Sequence, residues 1–444
     1  MFLNRIGWIV TVMCVGVAGI ARSADLRPWN EVVAVEGAPF KSRLQAISAD
    51  GMVDWELRGG ETKKLPLADL CWWGEWAETR PQTQVVLVDG SLIVAEVIGI
   101  GKEHLAADWS LGGEFKLPLE WVGGILLAPP VDRQQADALR FRLRTPNNSS
   151  DGWPGLDRRE APARQRTGAS AAPPAPATLE TGTAANSSDT DRLILLNGDE
   201  LTGEILALDE STVKIRTTAG EVSVAKEKIA AAAFNPTLSA KPNPADSRLW
   251  IGFQDGSRVL AASLAIERET AKIKLAAGPQ IGVPAAKIVT IQPLAGHTTY
   301  LSDLKPAGYQ QIPFLDLTWP YRTDRNVLGS QLRAGDKLFL KGLGMHSAAR
   351  LNYNLDKPYR KFAAEAAIDD QTAGRGSTLF GIYADDGSGQ WRLKYESPII
   401  RGGAAPVPIS VDLAGVKRLS LLVDFADHGD EQAHADWINA RLLP

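Results

Sequence analysis

Between residues 30 and 296 the chain repeats one pattern of apolar and polar positions four times: a turn pair, two alternating stretches, a second glycine turn, and a closing apolar run. The pattern is plainest in "LILLNGDELTGEILALDESTVKIRTTAGEVSVAKEKIA", where Leu201, Gly203, Ile205 and Ala207, then Val213, Ile215 and Thr217, recur at the strand period of two. The first-turn glycines are Gly37, Gly90, Gly198 and Gly256; the second-turn glycines, Gly60, Gly113, Gly220 and Gly278, follow 23, 23, 22 and 22 residues later. Asp-Gly and Asn-Gly pairs supply the positive φ angles of tight hairpins, so each unit is predicted to be about four short antiparallel strands. A unit this small buries little by itself. The expectation is therefore that units 1 and 2 (30–130) pack as one pair and units 3 and 4 (192–296) as another.

The step from Gly90 to Gly198 is twice the neighbouring ones, and the extra length has two textures. "RQQADALRFRLR", Arg133 to Arg144, reads as a short helix. Residues 145–191 are rich in Pro, Ala, Ser, Thr and Gly without apolar periodicity, which predicts a disordered linker dividing the repeats into two arms. The units resemble small SH3-like or Sm-like barrels in their strand rhythm, and nothing beyond that geometry is implied. "NGDELTGEI" lacks the acidic spacing of a calcium loop.

From residue 298 onward the unit repeat stops. "KLFLK", "ARLNYNL", "KFAAEAAI", "STLFGIYAD", "VPISVDL" and "RLSLLVDF" are strand-length segments between Gly, Pro and Asp turns, the rhythm of a β-sandwich. "KLFLKGLGMHS" lacks the third glycine of a dinucleotide fingerprint and runs on into an alternating strand, so it predicts no phosphate cradle.

The pieces "TYLSDLKPAGYQQIPF", "WPYRTDRNVLGSQL", "KGLGMHS", "AAIDDQTAGRGSTLFGIYADDG", "SPIIRGG", "PVPISVDLAGVKRLSLLVDF" and "HADWINARL" carry a resemblance. In order and spacing, residues 299–444 resemble the NPCBM family of carbohydrate-binding modules. The sequence departs from the family pattern at Ala433, where an acidic residue is expected. The resemblance implies a galactose-binding-like jelly-roll sandwich at 298–444, with glycan held by loops at one end. It singles out His346 in "GLGMHS", Asp369 and Asp370 in "IDD", and Asp436 and Trp437 in "HADW". A structural calcium held by loop oxygens is the one cofactor it implies, with no ligands nominated.

Sugar recognition needs an aromatic face and a few polar groups aimed at hydroxyls. Trp391, Tyr395, Trp437, Trp319 and Tyr321 are candidate faces, although Trp437 also fits a core position. His346 either donates to a ligand or fixes a neighbouring loop. No catalytic set emerges. Asp369 and Asp370 are adjacent, so on a strand they point to opposite faces and cannot form a glycosidase pair, while at a strand end one of them can still face a loop site; His346, His428 and His434 match no zinc spacing.

Charge and cysteine content narrow the function classes. The opening "MFLNRIGWIVTVMCVGVAGIARSAD" reads as a signal peptide over residues 1–23. Removing it takes away Arg5 and Arg22 and no acid, so the net charge moves from −4 to −6, against nucleic acid as a partner. Cys71 then remains alone among apolar neighbours, where a buried inert thiol is expected. The resulting expectation is a secreted, periplasmic or cell-surface, non-catalytic glycan-binding protein without a membrane span. The alternative is a structural or assembly protein whose repeats bind a protein partner through strand edges.

Overall fold

The computed structural model describes residues 27–79, 82–144, 189–243, 248–314, 317–427 and 429–444. The expected signal peptide, all but the last three residues of the expected linker, and His428 lie outside the described residues.

Each repeat unit contains five strands rather than four, with a single 3-10 turn before the fifth. Unit 1 runs Asn30–Ala34, Phe40–Ile47, Met52–Leu57, Thr62–Pro66, the turn Leu67–Asp69, and Leu70–Gly74. The short apolar run that closes each sequence repeat is this fifth strand, and it returns to pair with the first. In unit 2 the second strand is broken into Leu92–Val94 and Glu96–Ile100. All eight turn glycines lie at positive φ, between 73° and 125°, where a Cβ would be strained. Eighteen repeat strands join one continuous sheet, a further three form their own, and among the described residues no unit closes into a complete barrel.

The units are joined differently from the expected order. The fifth strand of unit 4 pairs with that of unit 1, with Thr290 opposite Gly74 and Ile291 opposite Trp73. The fifth strands of units 2 and 3 pair likewise, with Gly124, Ile125 and Leu126 opposite Ala233, Ala232 and Ala231. Units 2 and 4 then meet at their first turns by a reciprocal exchange. Ser91 Oγ accepts from Leu260 N at 2.8 Å, and Ser257 Oγ accepts from Val94 N at 2.9 Å. One apolar core therefore contains residues of all four units, Trp73, Trp109, Ile215 and Phe253 among them, and the two expected arms are one body. The reason is physical: each unit offers an apolar edge strand, and pairing the fifth strands buries two edges at once.

The helix is Arg133–Arg144, as its sequence predicts. Asp132 caps it, accepting from Gln135 N at 2.8 Å. The helix lies on the ladder between units 2 and 3, where Gly123 and Gly124 leave room. A Cβ at Gly123 would stand 2.3 Å from Leu143 O.

The C-terminal domain is a two-sheet sandwich. One sheet has the order Arg322–Thr323, Gly342–His346, His434–Leu443, Lys361–Ile368, Val407–Asp412. The other runs Gly308–Gln311, Ala349–Asn354, Arg418–Phe425, Ser377–Asp385, Arg392–Glu396. Between them Leu343, Leu351, Phe362, Phe380, Leu421 and Trp437 form the core, each fully buried. The sandwich is seated on the repeats. Tyr300 Oη donates to Cys71 O at 2.9 Å, the free and buried Cys71 thiol lies 3.2 Å from Thr298 Oγ1, and Gln292 Nε2 donates to Asn439 Oδ1 at 3.2 Å.

Candidate functional site

Three stretches singled out in the sequence lie on adjacent strands. His346 at the end of Gly342–His346 is directly opposite His434, and Ile368, which precedes Asp369, is opposite Ala435. Strand alternation sends Ala435 and Trp437 into the inter-sheet core and turns His434 and Asp436 to the other face.

At the strand end, His346, His434 and Trp319 form a cluster. The Trp319 ring is stacked on His346 with centroids 4.6 Å apart and planes 5° from parallel; His434 stands 5.8 Å from Trp319 and 5.6 Å from His346. Both histidines are almost wholly buried while Trp319 is half-buried. Trp319 is held by its backbone: its N–H donates to Gln311 Oε1 at 2.5 Å, and its carbonyl accepts from Tyr309 Oη at 2.6 Å. Beside it Ile312, Phe314 and Leu317 are 64%, 58% and 51% exposed, an apolar rim at this end of the sandwich.

Burial sets the protonation of the pair. His346 Nδ1 lies 2.9 Å from the Ser347 carbonyl. A carbonyl only accepts, so Nδ1 carries the proton and neutral Nε2 is left as an acceptor. Desolvation lowers the His346 pKa, partly offset by that hydrogen bond. Desolvation, with His346 as a second cause, lowers His434 to about 4. His434 is therefore neutral at pH 7, and its Nδ1 is a buried nitrogen without a partner. The arrangement offers one aromatic wall, one acceptor and one uncommitted imidazole nitrogen.

The remaining candidates are placed elsewhere. Trp437 is fully buried, edge-on to Phe380 at 4.9 Å, and presents no face to a solute. Asp369 and Asp436 are also fully buried. Asp369 accepts from Asn326 Nδ2, Gln371 N and Arg333 N at 2.9 to 3.0 Å. Asp436 lies against it, and burial together with the Asp369 carboxylate pushes Asp436 well above the usual carboxylate range. They form an interior acid pair beneath the loop at 325–333, not a ligand-facing one. Asp370 is spent on the chain itself, accepting from Gly335 N at 3.1 Å and Asp336 N at 2.9 Å. Trp391 and Tyr395 belong to the outermost strand region of the second sheet. Trp391 lies under Arg418, and the ladders place Arg418 at the end of its strand opposite Phe425, so Trp391 and His346 occupy opposite ends of the sandwich. Tyr395 packs against the edge of the core.

Trp319 is one of five aromatic faces the sequence nominates, but only the fold pairs it with His346. His434 is overlooked as a sugar contact because "HADW" draws the eye to the tryptophan; alternation alone assigns His434 to the face opposite Trp437. Among the described residues no group of three or more His, Cys, Asp or Glu side chains is placed to hold a metal ion. No described helix is long and apolar enough to cross a membrane.

Over 115 residues the chain is 34% identical to a protein of Renibacterium salmoninarum provisionally named an endo-alpha-N-acetylgalactosaminidase; the match covers 26% of this chain and 7% of that protein. Among solved structures it is similar to CBM51-2 in complex with GlcNAc and INT domains from Clostridium perfringens ZmpB, at 26% identity over 42% of this chain and 40% of that one, TM-score 0.30. It is also similar to CBM51 from Clostridium perfringens GH95 in complex with methyl-galactose, at 23% identity over 33% of this chain and 99% of that one, TM-score 0.29. The sandwich that carries Trp319, His346 and His434 coincides with the stretch, residues 297–443, that matches the NPCBM/NEW2 domain family.

Proposed function

We propose that the chain is a secreted, non-catalytic glycan-binding protein, and that the sugar is held at the sandwich end formed by Trp319, His346 and His434. The observation that carries this reading is the Trp319 ring stacked on a buried neutral histidine, next to a second buried histidine whose Nδ1 has no partner. A pyranose ring presents apolar C–H groups on one side and hydroxyls at its edge. An indole wall takes the first; His346 Nε2, as an acceptor, and the unpartnered Nδ1 of His434 take the second. The family match over the same residues supports the reading.

The absence of a catalytic role rests on the carboxylates. The acid pair Asp369 and Asp436 is fully buried, and Asp370 is engaged by backbone amides. The assembly alternative is less favoured, since the fifth strands of the repeats are consumed in ladders between units.

Isothermal titration with galactose and with N-acetylglucosamine tests the site. Trp319→Ala is expected to weaken the bound sugar by roughly 1 to 2 kcal/mol with folding intact, and Trp391→Ala to leave affinity unchanged. Loss of binding in Trp391→Ala with full affinity in Trp319→Ala moves the site to the other end of the sandwich.

A further inference from the structure

The seam between repeats and sandwich buries more positive charge than its immediate partners neutralise. Glu78 and Asp137 each bridge Arg140 and Arg333, at 2.7 and 2.9 Å for Glu78 and 2.8 and 3.2 Å for Asp137. That set is balanced: two carboxylates, two guanidiniums. Three further arginines converge beside it with no carboxylate within ion-pair distance among the described residues.

Arg258 is only 8% exposed and lies between Trp76 and Trp250, its guanidinium carbon 4.8 and 5.8 Å from their ring centroids. Its Nη1 donates to Gln331 Oε1 at 2.5 Å, and its Nε is buried without a partner. Arg325 reaches the same amide oxygen at 3.5 Å, so one neutral acceptor serves two guanidiniums. Arg144 ends the helix and lies over Gly90, two residues before Leu92, the strand neighbour of Arg258. It makes no hydrogen bond or ion pair among the described residues. The nearby acids offset the charge only in part, although Asp89 and Asp324 both attract Arg144. Asp324 is bound by Lys341 Nζ at 2.7 Å, and Asp89 accepts from Ser91 N at 2.8 Å while its second oxygen contacts no donor. Burial, and after it repulsion from the neighbouring arginines, lowers the pKa values of Arg258 and Arg325, with Asp137 acting against the shift.

We infer that Arg144, Arg258 and Arg325 form a binding site for a tetrahedral oxyanion, a sulfate or phosphate group, at the junction of the repeats and the sandwich. Buried charge that is only partly compensated is costly, and guanidinium forks match the oxygens of such a group. The three arginines come from the helix end, from unit 4 and from the sandwich. A bound anion would tie together segments far apart in the chain. The site is separate from the Trp319 cluster and does not depend on it.

The test uses the full chain, with inorganic sulfate, inorganic phosphate, a sulfated galactose and plain galactose as probes, against chloride at matched ionic strength. Titration calorimetry and thermal unfolding should show saturable, stabilising binding of sulfate or phosphate. Arg144→Gln and Arg325→Gln should each weaken it by roughly tenfold or more while leaving the response to plain galactose unchanged. Tighter binding of the sulfated sugar than of sulfate, lost in the same variants, identifies the anion as a glycan substituent; equal binding identifies a free ion. No saturable response to any anionic probe, or unchanged affinity in both folded variants, overturns the assignment.

Discussion

The repeats and the sandwich are both antiparallel β-structure, but they bury different things. The core shared by the four units is built from apolar side chains, and polar side chains buried near it, such as Ser91, Ser257 and Gln292, serve contacts between units or with the sandwich, while Ser42 Oγ and Asp89 Oδ2 are buried without a partner. The sandwich has an equally apolar interior between its sheets, yet its outer side also buries His346, His434, Asp369, Asp436 and Lys341. Desolvating such groups opposes stability unless every one is partnered. A domain that keeps a neutral histidine with an idle nitrogen has accepted that cost at the candidate binding end.

Removing Trp73 tests whether the repeats share a core. Trp73→Ala leaves a cavity at the junction of units 1 and 4 and should cost about 3 to 5 kcal/mol, and calorimetry should show units on both sides of 145–191 melting together. A separate, unshifted transition for units 3 and 4 would restore two independent arms.

The seam comes next. Arg333→Ala leaves Glu78 and Asp137 each short of one partner in a nearly dry site, and urea unfolding should show a loss of about 3 kcal/mol. A loss no larger than that of an exposed ion pair would mean that water replaces the guanidinium.

The buried histidine gives the sandwich a pH signature of its own. His434 has a folded pKa near 4 against 6.5 for the free side chain, so it contributes stability that is fully present above pH 6.5. That contribution falls as pH drops from 6.5 towards 4, by on the order of 2 kcal/mol. His434→Gln should flatten stability over this window, and an unchanged slope would mean that His434 is hydrated. The smallest effect belongs to a repeat turn. Gly198 has φ +92°, and nothing lies within 4 Å of where a Cβ would stand. Gly198→Val therefore strains backbone alone, for about 1 kcal/mol, measured as a small shift in melting temperature.

Hairpin positions were legible because Asp-Gly and Asn-Gly are local signals, satisfied by the two residues themselves. The fifth strand of each unit was not. "LCWWG" and "IAAAA" are too short and too evenly apolar to show a period, and their strand character comes from the partner they return to. The candidate site was half legible. "GLGMHS", "IDD" and "HADW" do meet, but the roles within them depend on facing. Asn439 sits at φ +48°, and the ladder with Lys361–Ile368 shifts register there. Across that bulge Ala440 and Leu442 share the core face with Trp437, which takes the core position its sequence allowed, while Ile438 belongs to the other face.

The sequence by itself determined the number of units, the turns, the helix Arg133–Arg144 and the resemblance of the last third to the NPCBM modules, because each depends on neighbours close along the chain. The tertiary structure alone decided which units share edges, that Trp319 stacks on His346, and that three arginines from distant segments lie together without an ion pair to any carboxylate among the described residues. Those outcomes are set by non-local burial, where the partner of a residue is chosen by which surfaces remain uncovered after the strands have paired.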